Sequence, residues 1–376
     1  MYITTKDGLD AFCERAHSAR VLAVDTEFLR EKTFFPKLCL VQIATPTESV
    51  AIDPLLIEDI SGLATLFEDP SITKVLHACS QDLDAIDHAL GCRVAPLFDT
   101  QVAAAFLGHR MQMGYGALVE AYTGVHLPKA ASLTDWSRRP LEPYQLEYAE
   151  DDVRYLPGIY DRMVSELIER DRLSWVQPEF VALADPTHLD RDPRHAYLRL
   201  KRVSSLTRRQ LAIAREVCAW REDRAAARDL PRKWVLSDEV IVELCKLPPA
   251  DERHLRKVRG TEQVSSKDVQ ALLEAIARGR ACPEGELPHA ERHSRPSAEM
   301  ECVLDLMYAL VRRVSEKSGV AVQLIASRDD LHTFVVNRPM SRVSTGWRRE
   351  LVGTQLDRLL AGELGLTVKD GCIEVL

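Results

Sequence analysis

No window of this chain holds the roughly 18 consecutive apolar residues that a membrane-spanning helix needs, so a helical span is excluded. No Cys-x-x-Cys pair occurs among its nine cysteines, at 13, 39, 79, 92, 218, 245, 282, 302 and 372. Their odd number and wide scatter argue against a disulfide framework or a zinc site and suit reduced thiols. The stretch Met1-Tyr2-Ile3-Thr4-Thr5-Lys6-Asp7 lacks the pattern of a secretory signal, so the expected location is cytoplasmic. An excess of positive charge is also missing. The net charge is −8, which speaks against a nucleic-acid binder.

What is present is a globular composition, 46% apolar and 28% charged, over 376 residues, enough for two or three domains. Charge is unevenly spread. Residues 1–175 carry 16 Lys and Arg against 27 Asp and Glu, whereas residues 191–282 carry 21 against 13. An acidic body joined to a basic module suits a metal-using enzyme whose polyanionic substrate is held partly elsewhere. Ordinary drift between domains would give the same imbalance.

The most informative stretch is Ala19-Arg20-Val21-Leu22-Ala23-Val24-Asp25-Thr26-Glu27-Phe28. A short apolar run rich in β-branched residues predicts a buried central strand. Residues two apart in a strand share a face, so Asp25 and Glu27 project together. Paired carboxylates repel one another, and closely set oxygen ligands suit a hard divalent ion such as Mg²⁺ or Mn²⁺. Alternatively, the strand has simply reached solvent.

Further strands are expected at Lys37–Ala44, Glu48–Asp53 and Lys74–Cys79, with helical spacing over 58–67. Ser80 is placed to cap a helix carrying Leu83, Ile86 and Leu90, ended by Gly91. Asp82 falls in its first turn, where an acid also suits the helix dipole. A short edge strand at 94–98 leads to Asp99 or Thr100 as the cap of a helix ending near Gly108. This order predicts an α/β fold with a mixed sheet. Later, Leu146, Ala149, Val153, Leu156 and Ile159 form one helical stripe, with Tyr148 and Asp152 one turn apart on the same side. Glu150 and Asp151 read as a solvated face, and His77, Trp136 and Trp175 as packing residues.

Asp-x-Glu on a strand, an Asp opening a later helix and Tyr-x-x-x-Asp on a late helix together resemble the DEDD exonucleases of the ribonuclease H-like fold, in the branch that carries tyrosine. The stretches Asp25-Thr26-Glu27-Phe28, Phe34-Phe35-Pro36-Lys37-Leu38, His77-Ala78-Cys79-Ser80-Gln81-Asp82-Leu83, Thr134-Asp135-Trp136-Ser137-Arg138-Arg139-Pro140-Leu141 and Tyr148–Pro157 resemble the ribonuclease D family more closely still. That resemblance implies two divalent metal ions, Mg²⁺ or Mn²⁺, held by Asp25, Glu27, Asp82 and Asp152, with Asp25 bridging and Tyr148 orienting the attacking water. Two ions roughly 3.5–4 Å apart neutralise both the attacking and the leaving oxygen of a phosphodiester. Phe28 could stack on a terminal base or belong to the core. Lys129, Arg138 and Arg139 are candidate phosphate contacts.

The resemblance extends along the chain. It implies a 3′–5′ exonuclease domain over 1–175, a linker at 176–203 in which Pro178 breaks regularity, a basic HRDC-type helical domain over 204–282, a second linker at 283–296 and a second HRDC-like helical domain over 297–376. A short helix is expected from Arg194 to Val203. The implied activity is a metal-dependent 3′–5′ exoribonuclease that releases nucleoside 5′-monophosphates and trims 3′ extensions of tRNA precursors and other structured RNAs. Single-stranded RNA 3′ ends are the expected partner, no membrane is involved, and a monomer is expected. A DNA exonuclease and a non-catalytic RNA-binding scaffold are the competing readings.

Overall fold

The computed structural model describes residues 1–128, 134–185, 192–288 and 296–376. It divides into two compact units. The first comprises Met1–Glu27, Leu38–Asp185 and Arg295–Leu376; the second comprises Phe28–Lys37 and Pro186–Ser294.

The sheet of the first unit has six strands: β1 (Tyr2–Ile3), β2 (Val21–Leu29), β3 (Lys37–Ala44), β4 (Ser49–Ile52), β5 (Thr73–Leu76) and β6 (Leu97–Asp99), in the order β1-β4-β3-β2-β5-β6. β4 runs antiparallel to β3, while β5 is parallel to both β2 and β6. The mixed sheet expected from the sequence is present, and the acid-bearing strand β2 lies at its centre. Seven of the eight residues of β3 are buried, the mark of a strand covered on both faces. β1 is too short to carry a period, whereas helix α1 (Lys6–Ala16), capped by Thr5, buries Leu9, Phe12, Cys13 and Ala16 at helical spacing.

Helices α2 (Gly62–Glu68), α3 (Ser80–Leu90), α4 (Thr100–Phe106), α5 (Tyr115–Thr123), α6 (Pro143–Arg154), α7 (Leu156–Glu169) and α8 (Leu173–Leu183) complete the nuclease segment. Three expectations are corrected here. Ser80 is the first residue of α3 and not its cap; Cys79 precedes it, and its N–H donates to Asp99 Oδ2 at 2.9 Å. Asp99 thus serves two helix starts, since its Oδ1 also accepts from the Gln101 and Val102 amides at the head of α4. The apolar stripe from Leu146 to Ile159 is split at Tyr155 into α6 and α7, because Pro157 has no N–H to donate to the Val153 carbonyl four residues before it. Pro178 lies inside α8, where burial of Val176 and Phe180 outweighs the lost hydrogen bond.

The C-terminal segment begins with α9 (Ala298–Ser318), α10 (Val322–Ile325) and α11 (Arg328–Val336). Its side chains share one apolar core with the nuclease helices: Phe106, Val153 and Met163 cluster with Leu310, Phe334 and Val352. Trp347 stacks on Trp175 with centroids 5.6 Å apart and meets Phe106 edge-on at 5.0 Å. Glu179 accepts from Trp347 Nε1 at 3.2 Å and from Arg348 Nη1 at 2.8 Å. Gly108, at φ 99°, lets the chain end α4 against the carbonyl of Gly319; a β-carbon there would stand 3.2 Å from that oxygen. The chain finishes in a small antiparallel hairpin, β7 (Leu366–Lys369) with β8 (Cys372–Val375).

In the second unit the expected helix from Arg194 to Val203 is a 3₁₀ turn over Pro193–Arg199. The long helix α12 (Arg208–Arg228) opens with a capping box between Thr207 and Gln210 and buries Leu211, Ala214, Val217 and Cys218. It packs against α13 (Asp238–Lys246), capped by Ser237, and α14 (Ser266–Arg280). Where α14 crosses α12, Gly279 sits directly over the backbone of Ile213. In the same unit Asp229 accepts from the Phe34 and Phe35 amides at 3.0 Å, and the Arg232 guanidinium lies 4.4 Å over the Phe34 ring. All nine cysteines are free thiols. Among the described residues no helix is long and apolar enough to cross a membrane.

Candidate active site

Strand β2 delivers Asp25 and Glu27 from the middle of the sheet, and α6 delivers Asp152 to meet them. Ligand oxygens of these three carboxylates lie within 4.8 Å of one another. The pairing of Asp25 with Glu27 follows from strand alternation. Their meeting with Asp152, more than a hundred residues later, is a product of the fold.

The electrostatics are those of crowded anions. Burial, and then the charges of Asp82, Asp152 and Glu27, hold the Asp25 carboxyl well above the usual carboxylate range. Burial together with Asp152 and Asp82 pushes Glu27 up to about 8. Asp152 is raised to about 7, chiefly by burial, although its interaction with the Tyr148 hydroxyl opposes the rise. Asp82, in the first turn of α3, is raised to about 6 by burial, against the pull of a hydrogen bond from Thr26 Oγ1 at 2.5 Å. Asp82 is therefore part of the acidic field but stands outside the tight group of three. The Tyr148 hydroxyl is raised by burial and by Asp152, Glu27 and Asp25, so it keeps its proton near neutrality.

A hard divalent cation fits this donor set. The oxygens are close enough to share an ion, and the burial and mutual repulsion that lift their pKa values are what a bound cation offsets.

Neighbouring groups brace the site, and several were invisible to sequence reasoning. Trp136 is buried with its ring tilted against Tyr148, centroids 6.0 Å apart. The Tyr115 hydroxyl donates to the Asp151 carbonyl at 2.7 Å, in the same helix as Asp152. Thr26, between the two acids of β2, anchors Asp82 through its hydroxyl, a partnership that no local spacing signals. His77 is fully engaged, with Nδ1 2.9 Å from Thr100 Oγ1 and Nε2 2.9 Å from the Met113 carbonyl. Its pKa is lowered by burial, and it serves as a structural histidine. Glu150 and Asp151 pair with Arg154 at 3.2 and 3.5 Å.

Of the candidate phosphate contacts, Arg139 is the clearest correction. Its guanidinium is clamped on buried Asp53 and on the carbonyls of Cys39, Trp136 and Arg138. All five N–H donors are thereby engaged, which leaves none for a phosphate. Arg138 is exposed and pairs with Asp135 at 3.3 Å. Lys129 lies outside the described residues. Phe28 is half-buried on β2 and clusters with the second unit.

Comparison with known proteins agrees with this geometry. Residues 1–168 match the model of a 3′–5′ exonuclease family, and residues 210–276 match the HRDC domain. Ribonuclease D of Acidiphilium cryptum is 39% identical over 383 aligned residues, covering 99% of this chain and 96% of that protein. Ribonuclease D of Jannaschia sp. is also 39% identical, covering 99% and 98%. The crystal structure of Escherichia coli RNase D, described as an exoribonuclease involved in structured RNA processing, superposes with a TM-score of 0.86 at 31% identity over 96% of this chain and 98% of that one.

Proposed function

Because the chain belongs to the ribonuclease D family and is a 3′–5′ exoribonuclease, we propose that it removes nucleoside 5′-monophosphates one at a time from the 3′ ends of structured RNAs, tRNA precursors among them. The observation that carries this reading is the convergence of Asp25, Glu27 and Asp152 to within 4.8 Å inside the exonuclease segment.

In this reading Asp25, Glu27, Asp82 and Asp152 hold two divalent ions, Mg²⁺ or Mn²⁺. When bound, such ions neutralise charge on the attacking and leaving oxygens and make water a nucleophile near neutral pH. Asp25 feels all three other acids, which supports it as the shared ligand. Tyr148, held in its neutral form, donates a hydrogen bond that orients water and does not act as the base. Trp136 packs its ring against that of Tyr148. The preference for RNA rests on the family, and the helical HRDC unit offers a second hold on a long strand.

The test is a 5′-labelled RNA with a free single-stranded 3′-hydroxyl, incubated with Mg²⁺, Mn²⁺ or chelator. A metal-dependent ladder shortening from the 3′ end, with 5′-monophosphates released, is the expected result. RNA that is bound but never shortened refutes the catalytic reading, and equal cutting of matched DNA refutes the RNA preference.

A further inference from the structure

Four of the chain's five tryptophans are buried or half-buried; Trp234 is 48% exposed. It lies in the second compact unit, on a short helix (Arg232–Val235) between α12 and α13. It lines a cleft of about 560 Å³ with Arg199, Lys201, Lys233 and the capped start of α13. That volume is within the roughly 300–1,000 Å³ of small-ligand sites. The acids of the cleft are largely neutralised by its own arginines. Glu222 pairs with Arg232 at 2.6 Å, and Asp238 pairs with Arg221 at 2.7 Å. Glu239 is the acid left exposed at the rim. Lys201 and Lys233 are exposed and have no ion-pair partner among the described residues.

An indole held open to water beside two uncommitted ammonium groups is a combination with a particular chemistry. A protein–protein patch favours aromatics but is depleted in lysine. A single-stranded nucleic acid needs a π-face for a base and cations for the flanking phosphates. We propose that this cleft is a subsite for single-stranded RNA, in which one base stacks on Trp234 while Lys201 and Lys233 meet adjacent phosphates. The proposal rests on the reading of the protein as a ribonuclease, and it assigns to particular side chains a binding role that the charge of the region only suggested.

The test uses the full chain in chelator, so that no strand is cut, and measures the Kd of a labelled oligouridylate and of an abasic ribose-phosphate oligomer of equal length. Trp234→Ala is expected to raise the Kd for the oligouridylate about five-fold or more, the loss of one base stack. Trp234→Phe retains a ring and is expected to bind within about two-fold of the parent. The abasic oligomer, with nothing to stack, should bind parent and Trp234→Ala alike. The double variant Lys201→Ala/Lys233→Ala should flatten the salt dependence of log Kd by about two phosphates' worth. If Trp234→Ala does not fold, quenching of the fluorescence that the parent has and Trp234→Phe lacks decides the same question. Unchanged affinity and salt slope overturn the proposal. So does a change in sedimentation with no change in RNA affinity, which would make the patch a protein contact. Failure of the parent to shorten RNA in any metal would instead remove the exonuclease reading, which this binding assay does not measure.

Discussion

In metal-free protein the three converging carboxylates oppose folding more strongly as pH rises, and Glu27→Gln relieves much of that opposition. Glu27 is lifted from 4.5 to about 8 by burial and by the charges of Asp152 and Asp82. Between those values the folded chain holds a proton that the unfolded chain has released. Stability is therefore greatest below about pH 4.5 and is lost as pH climbs through about 8. At ~1.4 kcal/mol per pKa unit, the shift corresponds to roughly 5 kcal/mol once Glu27 is fully ionised. Burial is the largest part of that cost and repulsion from Asp152 and Asp82 the rest; a buried glutamine amide keeps a desolvation penalty of its own, so the variant recovers a part of it, about 2–4 kcal/mol near pH 9. Near pH 4.5 glutamine replaces a carboxyl that is already protonated, and the difference should vanish. Thermal melts of parent and variant in chelator at the two pH values measure this directly. Adding Mn²⁺ should then raise the parent's Tm more than the variant's, because the cation relieves the same repulsion. A variant no more stable than the parent near pH 9, or stabilised equally at both pH values, refutes the account of the site as a strained, cation-seeking cluster.

Further outcomes can be checked independently. Asp25→Asn should lower turnover about 10³-fold or more, while filter binding shows RNA affinity changed by only a few-fold, because on the proposed reading a metal ligand is lost and the helical unit is untouched. Tyr148→Phe should lower kcat on the order of 10²-fold with little change in KM, since the hydroxyl is proposed to orient water and not to hold the strand. Arg139→Ala leaves the Asp53 carboxylate, whose side chain is fully buried, without its cation; a loss of about 3–5 kcal/mol is expected, read as a drop in Tm, and lysine should not restore the five-donor clamp. Gly279→Ala would place a β-carbon 2.4 Å from the Ile213 α-carbon and 2.8 Å from the Ala212 carbonyl oxygen, so the helical unit should lose about 1–3 kcal/mol in a denaturation series.

What the sequence by itself determined is whatever depends on local period and spacing. Strand alternation put Asp25 and Glu27 on one face, helical spacing set Tyr148 one turn from Asp152, and Gly91 ended α3 in the left-handed conformation that glycine adopts most easily. These repeats are written in neighbouring residues, so they could be read without coordinates. The tertiary structure alone decided which groups meet across long separations. It brought Asp152 to the acids of β2, turned Arg139 inward onto Asp53, and gave Asp99 the head of a helix twenty residues upstream. It also merged the C-terminal helices with the nuclease core through Trp347, and left Trp234 open to solvent while the other tryptophans were covered. Burial and partner choice depend on the packing of distant segments, and a charged or aromatic side chain looks the same in sequence whether it ends in a core, in an ion pair or in water.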